Sequence, residues 1–243
     1  MQRFSKLWLM LSVLMVGVMS LPAQAAIVLN TTRVIYQAKD REASVKLENV
    51  SQQPVVVQSW LDEGNLQRDP GEIKTPFLLM PPMVRVDPGK GQTLRLMHTG
   101  EPLPNDRESI YYLNVLEIPP KVAKVEGQNT LNMALRTRIK VFYRPASLSG
   151  TASSAPQKLS WKVVQNTDGW VLEARNPTGF HVSMTEVVLS DGGKSTQVGN
   201  GMVDPNAVLR FPLKAKPDPR AEVKFSAIDD YGAVRPHLGT LAP

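Results

Sequence analysis

From residue 26 onward, no window of a dozen residues keeps a 3.6-residue apolar repeat without a breaker, which leaves little room for helices. Short runs rich in Val, Ile, Leu, Tyr and Thr stand instead at 43–47, 55–60, 93–97, 110–118 and 131–143. Further runs follow at 159–164, 170–174, 181–189, 208–213 and 222–228. Turn chemistry separates them, as at Asp87-Pro88-Gly89, Asp168-Gly169, Asp191-Gly192-Gly193 and Asn200-Gly201. Many short strands at roughly ten-residue spacing predict antiparallel β-sandwiches. The chain reads as all-β.

The first 25 residues stand apart. Arg3 and Lys6 precede an apolar run from Leu7 to Leu21, and Ala23-Gln24-Ala25 supplies the small-x-small pattern that a signal peptidase reads. That run falls short of the ~20 residues a spanning helix needs. The expectation is export, cleavage after Ala25 and a mature chain that begins at Ala26. No later stretch is long and apolar enough for a membrane helix, so the product is expected outside the cytoplasm without membrane insertion.

An apolar share of 42% and a charged share of 21% are ordinary for a globular chain. With no Cys, disulfides, thiol chemistry and Cys-ligated metals are excluded. His98, His181 and His237 are widely spaced with no HExxH pattern, so no metal site is expected. A net charge of +6 is too weak to suggest nucleic acid, which wants basic clusters interleaved with aromatics. One basic cluster does stand out: Arg136, Arg138, Lys140 and Arg144.

The stretch from Ser147 to Pro156 is small and polar, without apolar periodicity. It predicts a linker at 147–157 between a first domain at 26–146 and a second at 158–243, each long enough for a sandwich.

Enzyme signatures are missing. There is no GxSxG, GxGxxG or Walker A pattern, and Gly89-Lys90-Gly91-Gln92-Thr93 has the wrong spacing for a phosphate loop, so a tight hairpin turn is expected there. Asp62/Glu63 and Asp229/Asp230 are adjacent pairs, which on a strand point to opposite faces and suit solvated turns better than a hydrolytic dyad. Trp60, Trp161 and Trp170 are expected as core aromatics rather than a sugar platform.

Five ordered motifs carry more information. The longest is Leu103-Pro104-Asn105-Asp106-Arg107-Glu108-Ser109-Ile110-Tyr111-Tyr112-Leu113-Asn114-Val115-Leu116-Glu117-Ile118-Pro119-Pro120. Before it comes Thr32-Arg33-Val34-Ile35-Tyr36, and after it Arg138-Ile139-Lys140-Val141-Phe142-Tyr143-Arg144-Pro145, Asn176-Pro177-Thr178 and Asp229-Asp230-Tyr231-Gly232-Ala233. Together they resemble the PapD-like periplasmic pilus chaperones over essentially the whole mature chain. The resemblance implies two immunoglobulin-like sandwiches set at an angle, with a cleft that receives an unfinished pilus subunit. It implies donor-strand complementation, delivery to an outer-membrane usher, no cofactor and no catalysis. Lys121 to Gln128 is a short connection without Cys, which resembles the short-loop subclass.

The same resemblance implies the site. Leu131, Met133 and Leu135 would be the donor residues, and their period-two spacing puts them on one strand face. Arg33 and Lys140 would bind the subunit's C-terminal carboxylate. Glu108, Arg144 and Asp230 would meet at the domain junction. Strict alternation puts Lys140 on the face opposite Leu131, so a bulge, twist or bend, or a cleft opening at the strand's end, is expected. The rival reading is an exported β-sandwich adhesin or pilus subunit, although residues 26–36 match the chaperone start rather than a subunit's donor extension. A self-capping dimer of the free protein is left open.

Overall fold

The computed structural model describes residues 26–120, 133–167 and 169–242. The leader, its cleavage point, Leu131, the 121–128 connection and Asp168 lie outside the described residues.

Among the described residues nine strands build the first unit: β1 (Ile27–Leu29), β2 (Arg33–Gln37), β3 (Ala43–Asn49), β4 (Val55–Asp62), β5 (Phe77–Met80), β6 (Met83–Val86), β7 (Gly91–His98), β8 (Ser109–Ile118) and β9 (Leu135–Arg144). The second holds β10 (Ser160–Asn166), β11 (Gly169–Arg175), β12 (Val182–Asp191), β13 (Lys194–Val203), β14 (Val208–Leu213), β15 (Glu222–Ile228) and β16 (Val234–Thr240). In the first unit a sheet of order β1-β3-β7-β5 faces one of order β2-β9-β8-β4-β6. The second stacks β10-β11-β14 on β13-β12-β15-β16.

Alternation sets the layers. On β3, Val45, Leu47 and Asn49 are buried while Lys46 and Glu48 face water, and β4 repeats this with Val55, Val57, Ser59 and Leu61. The inward sets form two separate cores. One gathers Val57, Leu94, Leu113 and Val141, and the other gathers Trp161, Leu172, Val187 and Val223. Phe77 meets Tyr111 and Tyr36 edge-on at 4.9 and 5.5 Å between ring centres. Burial there pushes the Tyr111 hydroxyl up to about 12. Trp161 is buried between Phe211 and Phe225, as expected of a core aromatic.

Several local expectations change. Asn200-Gly201 is not a turn but lies inside β13. There a side chain at Gly199 or Gly201 would run into Phe211 or Leu209, each 2.9 Å from the position its Cβ would take. The turn at Asp87 closes with the Lys90 amide donating to the Asp87 carbonyl at 3.1 Å. It is not a hairpin, because β6 pairs with β4 and β7 with β3, so the turn crosses between sheets. Nor is the stretch at 147–157 a free spacer. From Thr151 it winds into two 3-10 turns (Ala152–Ser154 and Pro156–Lys158), and Ala155 is fully buried in the second core.

Two motifs prove to be backbone devices. Asn176 accepts from the Thr178 amide and hydroxyl, and donates to the Phe180 and Asp204 carbonyls. Asp229 accepts from the Tyr231 and Ala233 amides, which shapes the turn between β15 and β16. Gly232 closes that turn at φ 89°, and its missing Cβ leaves room for the Thr32 hydroxyl beside β2.

Candidate functional site: the cleft between the sandwiches

β9 decides the geometry. It pairs with β8 in unbroken antiparallel register from Ser109↔Tyr143 to Glu117↔Leu135. On its other side β2 covers only Lys140 to Arg144, in parallel, beginning at Arg33↔Lys140. Among the described residues no strand pairs with that edge from Leu135 to Ile139. Such an edge carries unused amides and carbonyls ready to accept another strand.

The two faces of β9 differ in kind. Ile139 and Val141 enter the first core, and Leu135 lies on that same face but past the core, 44% exposed. Met133 precedes the strand and is 71% exposed. Lys140, Phe142 and Arg144 take the opposite face and meet the second sandwich. No bulge interrupts the β8–β9 register, so the bulge allowed for in the sequence is absent there and plain alternation accounts for Lys140.

The four basic residues of the cluster have different fates. Arg136 is exposed. Arg138 pairs with the buried Asp62 and lies 3.8 Å above the Tyr112 ring centre. Arg144 donates to Glu108 at 2.7 Å and to both carboxylate oxygens of Asp230 at 2.7 and 2.9 Å. Burial alone would lower its guanidinium, yet these two carboxylates raise it above its ordinary value. Glu108 also accepts from the His181 amide at 2.8 Å and contacts its ring Nδ1 at 3.0 Å, so first and second units share one buried carboxylate.

Among the described residues no carboxylate forms an ion pair with Lys140 or Arg33. The Lys140 ammonium donates to the Ser183 hydroxyl at 3.0 Å and meets the Met202 sulfur at 3.3 Å. Burial lowers it, and neighbouring Arg33 lowers it further against a weaker pull from Asp204. Arg33 is 8% exposed and gives one N–H to the Ile228 carbonyl at 3.3 Å, while its Nε is buried with no acceptor. Burial lowers its guanidinium too, against Asp230 and Asp229. Two desolvated cations thus stand side by side, and an anion could accept charge-assisted hydrogen bonds from them.

Sequence reading missed one network. Asp62, first weighed as half of a hydrolytic pair, accepts from Asn114 and the Gly64 amide, each at 2.6 Å, besides pairing with Arg138. Burial would raise its carboxyl, but the hydrogen bonds from Arg138, Asn114 and Gly64 hold it below the usual range. Asn114 and Arg138 lie 52 and 76 positions away in the chain, and no local pattern announces that meeting.

Comparison with known proteins settles the family. Residues 26–149 match the pili and flagellar-assembly chaperone family, PapD N-terminal domain, and residues 154–238 match the pili assembly chaperone PapD, C-terminal domain. The chain belongs to the PapD pilus-chaperone family. It is 41% identical over 224 residues to the chaperone protein FimB/FhaD of Bordetella pertussis, covering 90% of each chain. The crystal structure of the CupB2 chaperone of Pseudomonas aeruginosa superposes with a TM-score of 0.76 at 34% identity, covering 88% of this chain and all of that one. A structure of the Salmonella enterica SafA pilin in complex with the SafB chaperone matches with a TM-score of 0.73 at 27% identity, over 90% of this chain and 97% of that one. The PapD fold thus accounts for both sandwiches, and the second match begins within the first 3-10 turn, so the second turn belongs to it.

Proposed function

We propose that this PapD-family protein is a periplasmic pilus-assembly chaperone that captures a subunit by lending it a strand and holding its C-terminal carboxylate. One observation carries the reading: the unpaired edge of β9 ends where Arg33 and Lys140 present two desolvated cations. A strand added to that edge gains main-chain hydrogen bonds from 135–139, and Leu135, Met133 and Leu131 reach its apolar groove. With its terminal carboxylate at Arg33 and Lys140, the added strand runs parallel to β9, in line with β2. The carboxylate supplies the negative charge that both cations lack.

In this reading the leader is removed after Ala25, the protein belongs to the short-loop subclass, as the Cys-free run from Lys121 to Gln128 suggests, and the loaded chaperone delivers its subunit to an outer-membrane usher. No step requires a cofactor or catalysis. Co-expression with a pilus subunit from the same source, followed by gel filtration, tests it. A 1:1 soluble complex that disappears in Arg33→Ala and Lys140→Ala supports the anchor. Glycan binding by the protein alone would favour an adhesin instead, and a homodimer dissolved by added subunit would point to self-capping through β9.

A further inference from the structure

Lys140 does not reach across the cleft to a bare wall. Its partner Ser183 lies on β12, in the second sandwich, and is 5% exposed. The Ser183 oxygen accepts from Lys140 at 3.0 Å, and its own O–H donates to no described group. Met202, the cross-strand neighbour of Ser183 on β13, offers Lys140 a sulfur at 3.3 Å, which is a weak acceptor. On the other side of Lys140 stands Arg33, with a buried Nε that has no acceptor.

Three kinds of donor therefore neighbour one another: a guanidinium N–H, the ammonium on the adjacent strand and the hydroxyl that the ammonium meets. Among the described residues no carboxylate forms an ion pair with Arg33 or Lys140, and Asp204 acts on Lys140 only through space. A carboxylate has two oxygens with about four lone-pair positions, so it can accept from all three. The hydroxyl alone can accept from Lys140 and donate to the anion at once, and such chained hydrogen bonds strengthen each other away from water.

We propose that Ser183 is a third ligand of the chain-end carboxylate held by Arg33 and Lys140, contributed by the second sandwich. This deepens the anchor reading and rests on it. Since Arg33 and Lys140 belong to the first sandwich, the carboxylate would be clamped from both sides of the cleft.

The test uses a fluorescein-labelled ten-residue peptide of alternating apolar and polar residues, prepared with a free C-terminal carboxylate and as the C-terminal amide. Fluorescence anisotropy gives the ratio of the two affinities, which isolates the anchor from the strand contacts. The wild-type chain should prefer the acid. Ser183→Ala should reduce that preference about tenfold, the loss of one hydrogen bond to a charged group, and leave the amide affinity unchanged. Ser183→Thr, which keeps a hydroxyl, should hold the preference, whereas its isostere Ser183→Val should lose it. Wild-type preference in both Ala and Val variants overturns the role of Ser183. If Arg33→Ala and Lys140→Ala also leave the preference intact, or the wild-type chain shows none, the anchor reading falls as well.

Discussion

Arg33 and Lys140 are cross-strand partners in the parallel pair of β2 and β9, so two cations stand side by side in a place where burial lowers the pKa of each. Folding gains nothing from that arrangement. Like charges repel and each loses hydration, so the native state carries a penalty that Asp230 and Asp229 offset only in part at Arg33, and Asp204 at Lys140. Replacing Lys140 by Met should therefore raise the stability of the free protein by about 1 kcal/mol, seen as a higher urea midpoint at unchanged slope, while subunit capture is lost. A lower midpoint would show that the Ser183 contact outweighs the charge penalty.

The same residue sets an alkaline trend. The Lys140 pKa is depressed below 10.5 in the folded protein, so at pH values between the folded and unfolded pKa the unfolded chain binds more protons. Stability contributed through Lys140 should rise with pH in that window. Subtracting the unfolding profile of Lys140→Met from that of the wild type isolates the effect from Tyr111, whose raised pKa works in the opposite direction above pH 10. A difference profile that is flat up to 10.5 would contradict the assignment.

Arg144 is the counter-case, a buried cation with its charge matched. Removing it leaves Glu108, whose side chain is 2% exposed, without its guanidinium. Arg144→Ala should cost about 3–5 kcal/mol and lower periplasmic yield even with no subunit present. Adding Glu108→Gln should recover part of the loss in a double-mutant cycle, and a melting temperature equal to wild type in the single variant would speak against the cluster.

Asp62 should govern acid sensitivity. Its folded pKa lies below 3.8, so the stability it provides is complete above 3.8 and disappears as pH falls through the folded value. Asp62→Asn should cost about 1–3 kcal/mol near neutrality through weakened bonds to Arg138, Asn114 and Gly64. It should also flatten the stability profile below pH 3.8. Equal acid slopes in the two proteins would assign that sensitivity elsewhere.

Exposure separates Met133 and Leu135 from the core residues of β9. Met133 and Leu135 are too exposed to hold the free sandwich together, so changing both to Ser, together with Leu131, should move stability by only about 0.5 kcal/mol. Capture should fail, because each groove-filling side chain contributes up to about 1.5–3 kcal/mol on full burial. Circular dichroism melting and co-purification of subunit read the two effects separately. Unfolding of the triple variant would make these residues core.

β8 and β9 were legible because their patterns are local. The alternation at 110–118 and along the second half of 131–143 coincides with β8 and β9 within a few residues. β13 was not, since Asn200 and Gly201 carry turn chemistry, and only the side chains of Phe211 and Leu209 lying against the strand explain glycine there. β5 and β6 are four residues each with Pro81 and Pro82 between them, too short for a period to register. The cleft residues were reached through motif resemblance. Ser183 and the Asp62 network depend on contacts between distant segments, which leave no trace in residue order.

Because β2 begins at Arg33, the open edge of β9 is a slot closed at one end. If its closed end reads a free carboxylate, the slot distinguishes a finished polypeptide from one still threading through an export channel, whose last residue has yet to arrive. The position of one strand's first residue would then act as a clock, admitting a subunit only after its synthesis and passage are complete.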